Sequence, residues 1–114
     1  MVQRFDVGAR LSEMAIHNGV VYLAGQIPED PALGIEGQTQ QVLSAIDKLL
    51  ARAGTDKSKL LTVQIFLVDL KEFEGMNKVW DAWVAPGHAP PRATVQAHLA
   101  SPQWRLEIVA TAAV

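Results

Sequence analysis

The chain has 114 residues, 49% of them hydrophobic and 19% charged, a composition that builds a core and excludes a disordered polymer. Its net charge of −2 leaves no cationic surplus to neutralise phosphates, which argues against a nucleic-acid partner. With no cysteine, disulfides, thiolate catalysis and thiolate metal sites are excluded.

The length suits one domain spanning 1–114. His17, His88 and His98 lie far apart and form no HxxxH or HxH pair, so no metal site is expected. The opening MVQRFDVGAR lacks the apolar run of a signal peptide. No apolar stretch approaches the ~18 residues that span a bilayer. The expectation is a soluble, cytoplasmic protein with no membrane partner.

In chain order, residues 3–6 read as a short edge strand. Residues 13–17 (EMAIH) and 20–26 (VVYLAGQ) flank Asn18-Gly19, a pair that tolerates positive φ and predicts a hairpin with a type I′ turn. Residues 27–35, with two prolines and a glycine, read as a loop. Over 36–53, Val42, Ile46, Leu49, Leu50 and Ala53 fall on one helical stripe, and Gly54 follows as the residue that ends the helix. Residues 60–69 (LLTVQIFLVD) are rich in β-branched and aromatic residues and predict a strand.

Residues 71–84 predict a second helix with a stripe of Phe73, Met76, Trp80, Trp83 and Val84, ended by Pro86-Gly87. Residues 92–99 and 104–113 read as the last two strands, joined by a turn at 100–103. The order is β-β-β-α-β-α-β-β, an α/β (α+β) domain with both helices on one face of a sheet. Strand 60–69 is apolar on both sides, with Val63, Ile65 and Leu67 against Phe66 and Val68. Strand 20–24 behaves likewise. Two helices cannot cover both faces, so a second copy of the chain is expected against the other.

The final segment holds the candidate chemistry. Arg92, Thr94, Gln96 and His98 alternate with Ala93, Val95, Ala97 and Leu99. The second set reads as core, and the first as the lining of a wet pocket. Pro90 and Pro91 fix the approach to Arg92, whose planar fork can hold a carboxylate in two hydrogen bonds. A strand-end arginine in solvent or in an ion pair fits the same pattern. Glu107 follows Arg105 by two residues on the same face. It can position or deprotonate a water, or simply pair with Arg105 at the surface. Gly25, at the end of a strand, permits close approach of a ligand or of another chain, or makes a simple turn. Asn77 lies on the apolar stripe of the second helix, where a buried amide needs partners. Trp80 and Trp83 read as core or interface anchors. Thr94 is a hydroxyl without an identifiable base.

The same residues carry a resemblance. HNGVVYLAGQIPED, MNKVWDAW, APPRATVQAHL and LEIVATAAV, in this order and spacing, resemble the RidA family, also called YjgF. The stretches RLSE, IHNG, DKSKLL and MNKVWDAWVAPGHAPPRATVQA look closest to its YoaB-like branch. The resemblance covers nearly the whole chain. It implies a chorismate-mutase-like fold and a homotrimer with three clefts between subunits. It also implies hydrolysis, without a cofactor, of 2-imino acids and their 2-enamine tautomers (the 2-iminobutanoate and 2-iminopropanoate class) to 2-keto acids and ammonia. Arg92 would grip the substrate carboxylate and Glu107 would stand near the attacking water, with Gly25 and Asn77 lining the cleft. Three positions depart from the usual family residues: Leu11 for a tyrosine, Ala24 for a small hydroxyl residue, Thr94 for a cysteine. They make the pocket less polar and bear on substrate preference. The alternative that the same residues allow is a non-catalytic module that binds a 2-keto acid in the same cleft. A ribonuclease or chaperone role, attributed to some members of the family, finds no basic patch and no histidine pair here.

Overall fold

A computed structural model describes residues 1–114. The strands are β1 (Gln3–Phe5), β2 (Met14–His17), β3 (Val20–Leu23), β4 (Leu60–Leu67), β5 (Arg92–Gln96) and β6 (Leu106–Ala113); the helices are α1 (Ile35–Arg52) and α2 (Phe73–Trp83). The β-β-β-α-β-α-β-β order holds. The strands form one mixed sheet in the spatial order β1-β2-β3-β6-β4-β5.

Local chemistry explains the boundaries. Asn18 and Gly19 take φ of 51° and 77°, the left-handed pair that a tight β2–β3 hairpin requires. Gly54, at φ +82°, stops α1. The strand expected over 20–26 ends as a strand at Leu23. Gln26 then rejoins the sheet alone, exchanging backbone hydrogen bonds with Ile108 at 2.8 and 3.1 Å. The last two strands do not pair with each other: β4 lies between them, antiparallel to β6 and parallel to β5. A parallel pair needs a crossover, and α2 supplies it.

Both helices pack on one face. Val42, Leu43, Ile46 and Leu50 of α1 and Met76, Trp80 and Trp83 of α2 share one cluster with Val21, Val63, Ile65, Leu67 and Ile108 of the sheet. Truncating a fully buried member such as Ile46 to Ala costs about 2–5 kcal/mol in cores of this kind. The opposite face carries no helix. There Tyr22 is 49% and Val95 44% exposed. A register shift between Leu60 and Thr62 turns Leu61 outward as well, 42% exposed.

One expected face assignment is inverted. Ala93 and Val95 are exposed, while Arg92 and Thr94 are partly buried. The register explains it: Arg92 sits beside Val63 and Thr94 beside Ile65, and paired residues share a face. Alternation alone does not reveal that the helices cover the polar side of β5.

Candidate functional site

Arg92 begins the outermost strand on the helix side. Its guanidinium carbon lies 4.9 Å from the ring centre of Trp80 and 5.9 Å from that of Phe73. Both rings belong to α2, whose stripe faces this edge. The three ion pairs of the chain engage Arg52, Lys78 and Arg105, and Arg92 has no acidic partner. Burial pushes its pKa below the ordinary guanidinium value, partly offset by the Asp81 carboxylate. A cation held by ring faces keeps its N–H donors free for an incoming anion.

Asn77 and Thr94 belong to the same seam. Asn77 lies four residues after Phe73 and three before Trp80, on the helical face that carries both rings. Asn77 Oδ1 and Thr94 Oγ1 are buried, and neither has a hydrogen-bond partner. Such atoms are uncommon in native proteins and mark places where a polar group is owed a partner.

Glu107 stands on the other face. It pairs across the sheet with Phe66, the face that Val109 and Thr111 share by alternation. The surface pair with Arg105 does not form, because Arg105 binds Glu72 at 2.6 Å instead. Glu107 leans over the end of β3: a Cβ built on Gly25 would fall 1.9 Å from Glu107 Oε2. Gly25 leaves the space that the carboxylate tip occupies, and a side chain there would displace Glu107 from it. Ala24 fixes the neighbouring backbone, its N–H donating to Glu13 O at 2.9 Å. Leu11, 58% exposed, lies in the segment leading into β2.

The candidates thus form two groups within one copy. Arg92, Asn77 and Thr94 occupy the α2–β5 seam, and Glu107, Gly25 and Ala24 occupy the far side of the sheet. No single copy brings Arg92 and Glu107 onto one face. A groove of about 390 Å3 crosses the open face over Thr62, Gln64, Val109 and Thr111, takes in Pro91 and Arg92 at the start of β5, and reaches neither Glu107 nor Asn77. Two residues beside these candidates make contacts that the sequence did not show. Gln26 is buried, and its Nε2 donates to Ala24 O at 3.0 Å and to Glu13 Oε2 at 3.3 Å, which stiffens the turn at Gly25. Trp80 touches the guanidinium as well as the core. The interruption of a helical stripe by Asn77, flanked by two aromatic residues, is the sequence signal for that second role.

The model of the family described as endoribonuclease L-PSP matches residues 1–114. A RutC family protein of Haemophilus ducreyi is 52% identical over 114 residues, covering 100% of this chain and 97% of its own. The RutC family protein YoaB of Escherichia coli is 45% identical over 113 residues, 99% of this chain and 98% of its own. A solved structure of a YjgF family member from Neisseria meningitidis superposes with a TM-score of 0.96 at 43% identity, covering 99% of this chain and 94% of that one. Motifs, fold and these relatives agree, and the chain belongs to the RidA/YjgF family, on its RutC-type, YoaB-like branch.

Proposed function

We propose that the protein hydrolyses 2-imino acids and their 2-enamine tautomers to 2-keto acids and ammonia, in clefts between the subunits of a homotrimer. One observation carries this reading: Arg92 is a partly buried cation without a carboxylate partner, held against Trp80 and Phe73. That is the state of an arginine kept for a ligand anion.

The chemistry asks little of the protein. In the iminium form, C2 is already electrophilic. Arg92 holds the C1 carboxylate in two hydrogen bonds, which fixes C2 in place. Glu107 orients a water and takes a proton as its oxygen adds to C2. A proton passes to nitrogen, the C–N bond breaks, and ammonia leaves as the C=O forms. An enamine first gains a proton at C3. The balance is one iminium acid and one water giving one keto acid and one ammonium ion.

The separation of Arg92 and Glu107 supports placing the reaction between copies. The edge strand of one subunit would bring its arginine to the open face of the next. Exposed Tyr22, Val95 and Leu61 give that face an apolar surface to bury. Ribonuclease action, the activity in the family's description, draws no support from a net charge of −2 or from the engagement of Arg52 and Arg105 in ion pairs.

The test is an imine-trapping assay. An amino-acid oxidase generates 2-imino acids from leucine, methionine or alanine in the presence of semicarbazide. The expected result is slower semicarbazone formation when the protein is present, with the effect lost in Arg92→Ala. Unchanged trapping for all three imines would overturn the deaminase reading. Saturable 2-keto acid binding abolished by Arg92→Ala would then point to a sensor.

A further inference from the structure

The seam between α2 and β5 holds two buried oxygens without partners, Asn77 Oδ1 and Thr94 Oγ1, and one arginine. Arg92 bonds to neither, since the side-chain hydrogen bonds made by arginines belong to Arg52 and Arg105. Its guanidinium lies instead over the rings of Trp80 and Phe73, 4.9 and 5.9 Å from their centres. The difference matters for a binding group. A hydrogen-bonded or ion-paired guanidinium must break those bonds before it takes a ligand. A stacked one keeps its ring contact while its fork binds. Trp80 is itself wedged in the core, 6% exposed, and lies 5.4 Å from the ring of Trp83. Trp83 donates from Nε1 to Asp47 Oδ2 of α1 at 2.9 Å. The platform is therefore anchored through α2 to α1.

We propose that Trp80, assisted by Phe73, is a positioning residue that holds the Arg92 fork stacked, partly out of water and without a protein acceptor, and so sets the affinity of the site for carboxylates. The carboxylate part of this rests on the deaminase reading above; the placement of the guanidinium does not.

Three variants test it: Trp80→Leu, Trp80→Phe and Phe73→Leu. In the imine-trapping assay, Trp80→Leu is expected to raise KM about tenfold, the range of a partly desolvated cation–π contact, with kcat within about twofold. Trp80→Phe keeps a ring face under the cation and should stay within about threefold of wild type. Phe73→Leu, at the longer distance, should raise KM about threefold. Trp80→Leu leaves a cavity; if it does not fold, the KM of Phe73→Leu decides the matter. The second readout is the Arg92 Nε–H resonance in nitrogen-15 NMR, which ring currents displace. It should move in Trp80→Leu and persist near its wild-type position in Trp80→Phe. An unchanged KM in every leucine variant that folds, or an Nε–H resonance indifferent to Trp80, overturns the proposal while the deaminase reading stands. A wild-type protein that neither hydrolyses imines nor binds 2-oxobutanoate, but whose Nε–H resonance depends on Trp80, sinks the deaminase reading and leaves the platform.

Discussion

A carboxylate tip lies where a methyl group on residue 25 would have to go. Gly25→Ala would place Cβ 1.9 Å from Glu107 Oε2, and Glu107 is the part that can yield, because it is the far end of a flexible side chain. The backbone at Gly25 is outside the positive-φ set, so alanine adds no backbone strain. The expected outcome is a melting temperature close to wild type and imine hydrolysis reduced at least tenfold, as for a displaced water-orienting group. A large fall in melting temperature with unchanged activity would count against it. At this scale the sequence was legible in part. Arg92 and Glu107 stand out as single charges among small and apolar residues. Their placement on opposite faces was not legible, because alternation fixes which residues share a face and not which face a helix covers. The Arg105–Glu107 pair, open on sequence grounds, fails because Glu72 comes from the distant turn before α2 and reaches Arg105 first.

Among the elements, β1 shows how a three-residue strand is kept. Just beyond it, Asp6 takes φ 53°, a conformation that Asp tolerates better than most residues. Its carboxylate meets Arg52 at 2.7 Å, and Arg52 also lies 5.5 Å over the Phe5 ring. The hydrogen bond from Arg52 holds the Asp6 pKa below the ordinary carboxylate value. A depressed folded-state pKa gives stability that is present above the unfolded pKa, about 4, and lost as pH falls through the folded value. Asp6→Asn, which keeps the tolerance for positive φ, should therefore melt slightly below wild type at pH 7. The gap should close below about pH 4 and narrow in high salt; a gap that widens in acid would refute the assignment.

Gln38 is the larger anchor. Fully buried, its Nε2 lies 3.0–3.1 Å from the carbonyls of Pro31, Leu33 and Gln103, and its Oε1 accepts from Arg105 N at 2.8 Å. Gln38→Leu strands those groups and is expected to cost about 3 kcal/mol in urea unfolding, with an unchanged slope. The helix stripe of α1 was readable, and Gln38 on its buried side was not, since its partners arrive from loops as many as 67 residues away. The β2–β3 hairpin was readable from Asn18-Gly19 alone. The insertion of β4 between β5 and β6 could have been inferred from α2, which lies between two strands as a crossover helix does.

For the whole molecule, the open sheet face decides the outcome. Tyr22 stands near its middle, beside Ala15 and Thr111 on the flanking strands. Tyr22→Glu places a charge where the proposed association would exclude water, and should shift sedimentation from an assembled species to a monomer at micromolar concentration. The monomer should keep its far-ultraviolet spectrum, because its core lies on the other face. Sedimentation of Tyr22→Glu as an assembly would show that this face is not the interface.

Arg92 and Glu107 face opposite sides of the same sheet, and on the proposed assembly each site draws one of them from each of two neighbours. A subunit defective in one group is then not a dead subunit. Unfolding and refolding an equal mixture of Arg92→Ala and Glu107→Ala chains, each expected to be inactive alone, should restore about one working site in four, by chance pairing of an intact arginine with an intact glutamate. Two broken genes would give a partly working protein, and a heterozygous cell would show complementation within a single locus.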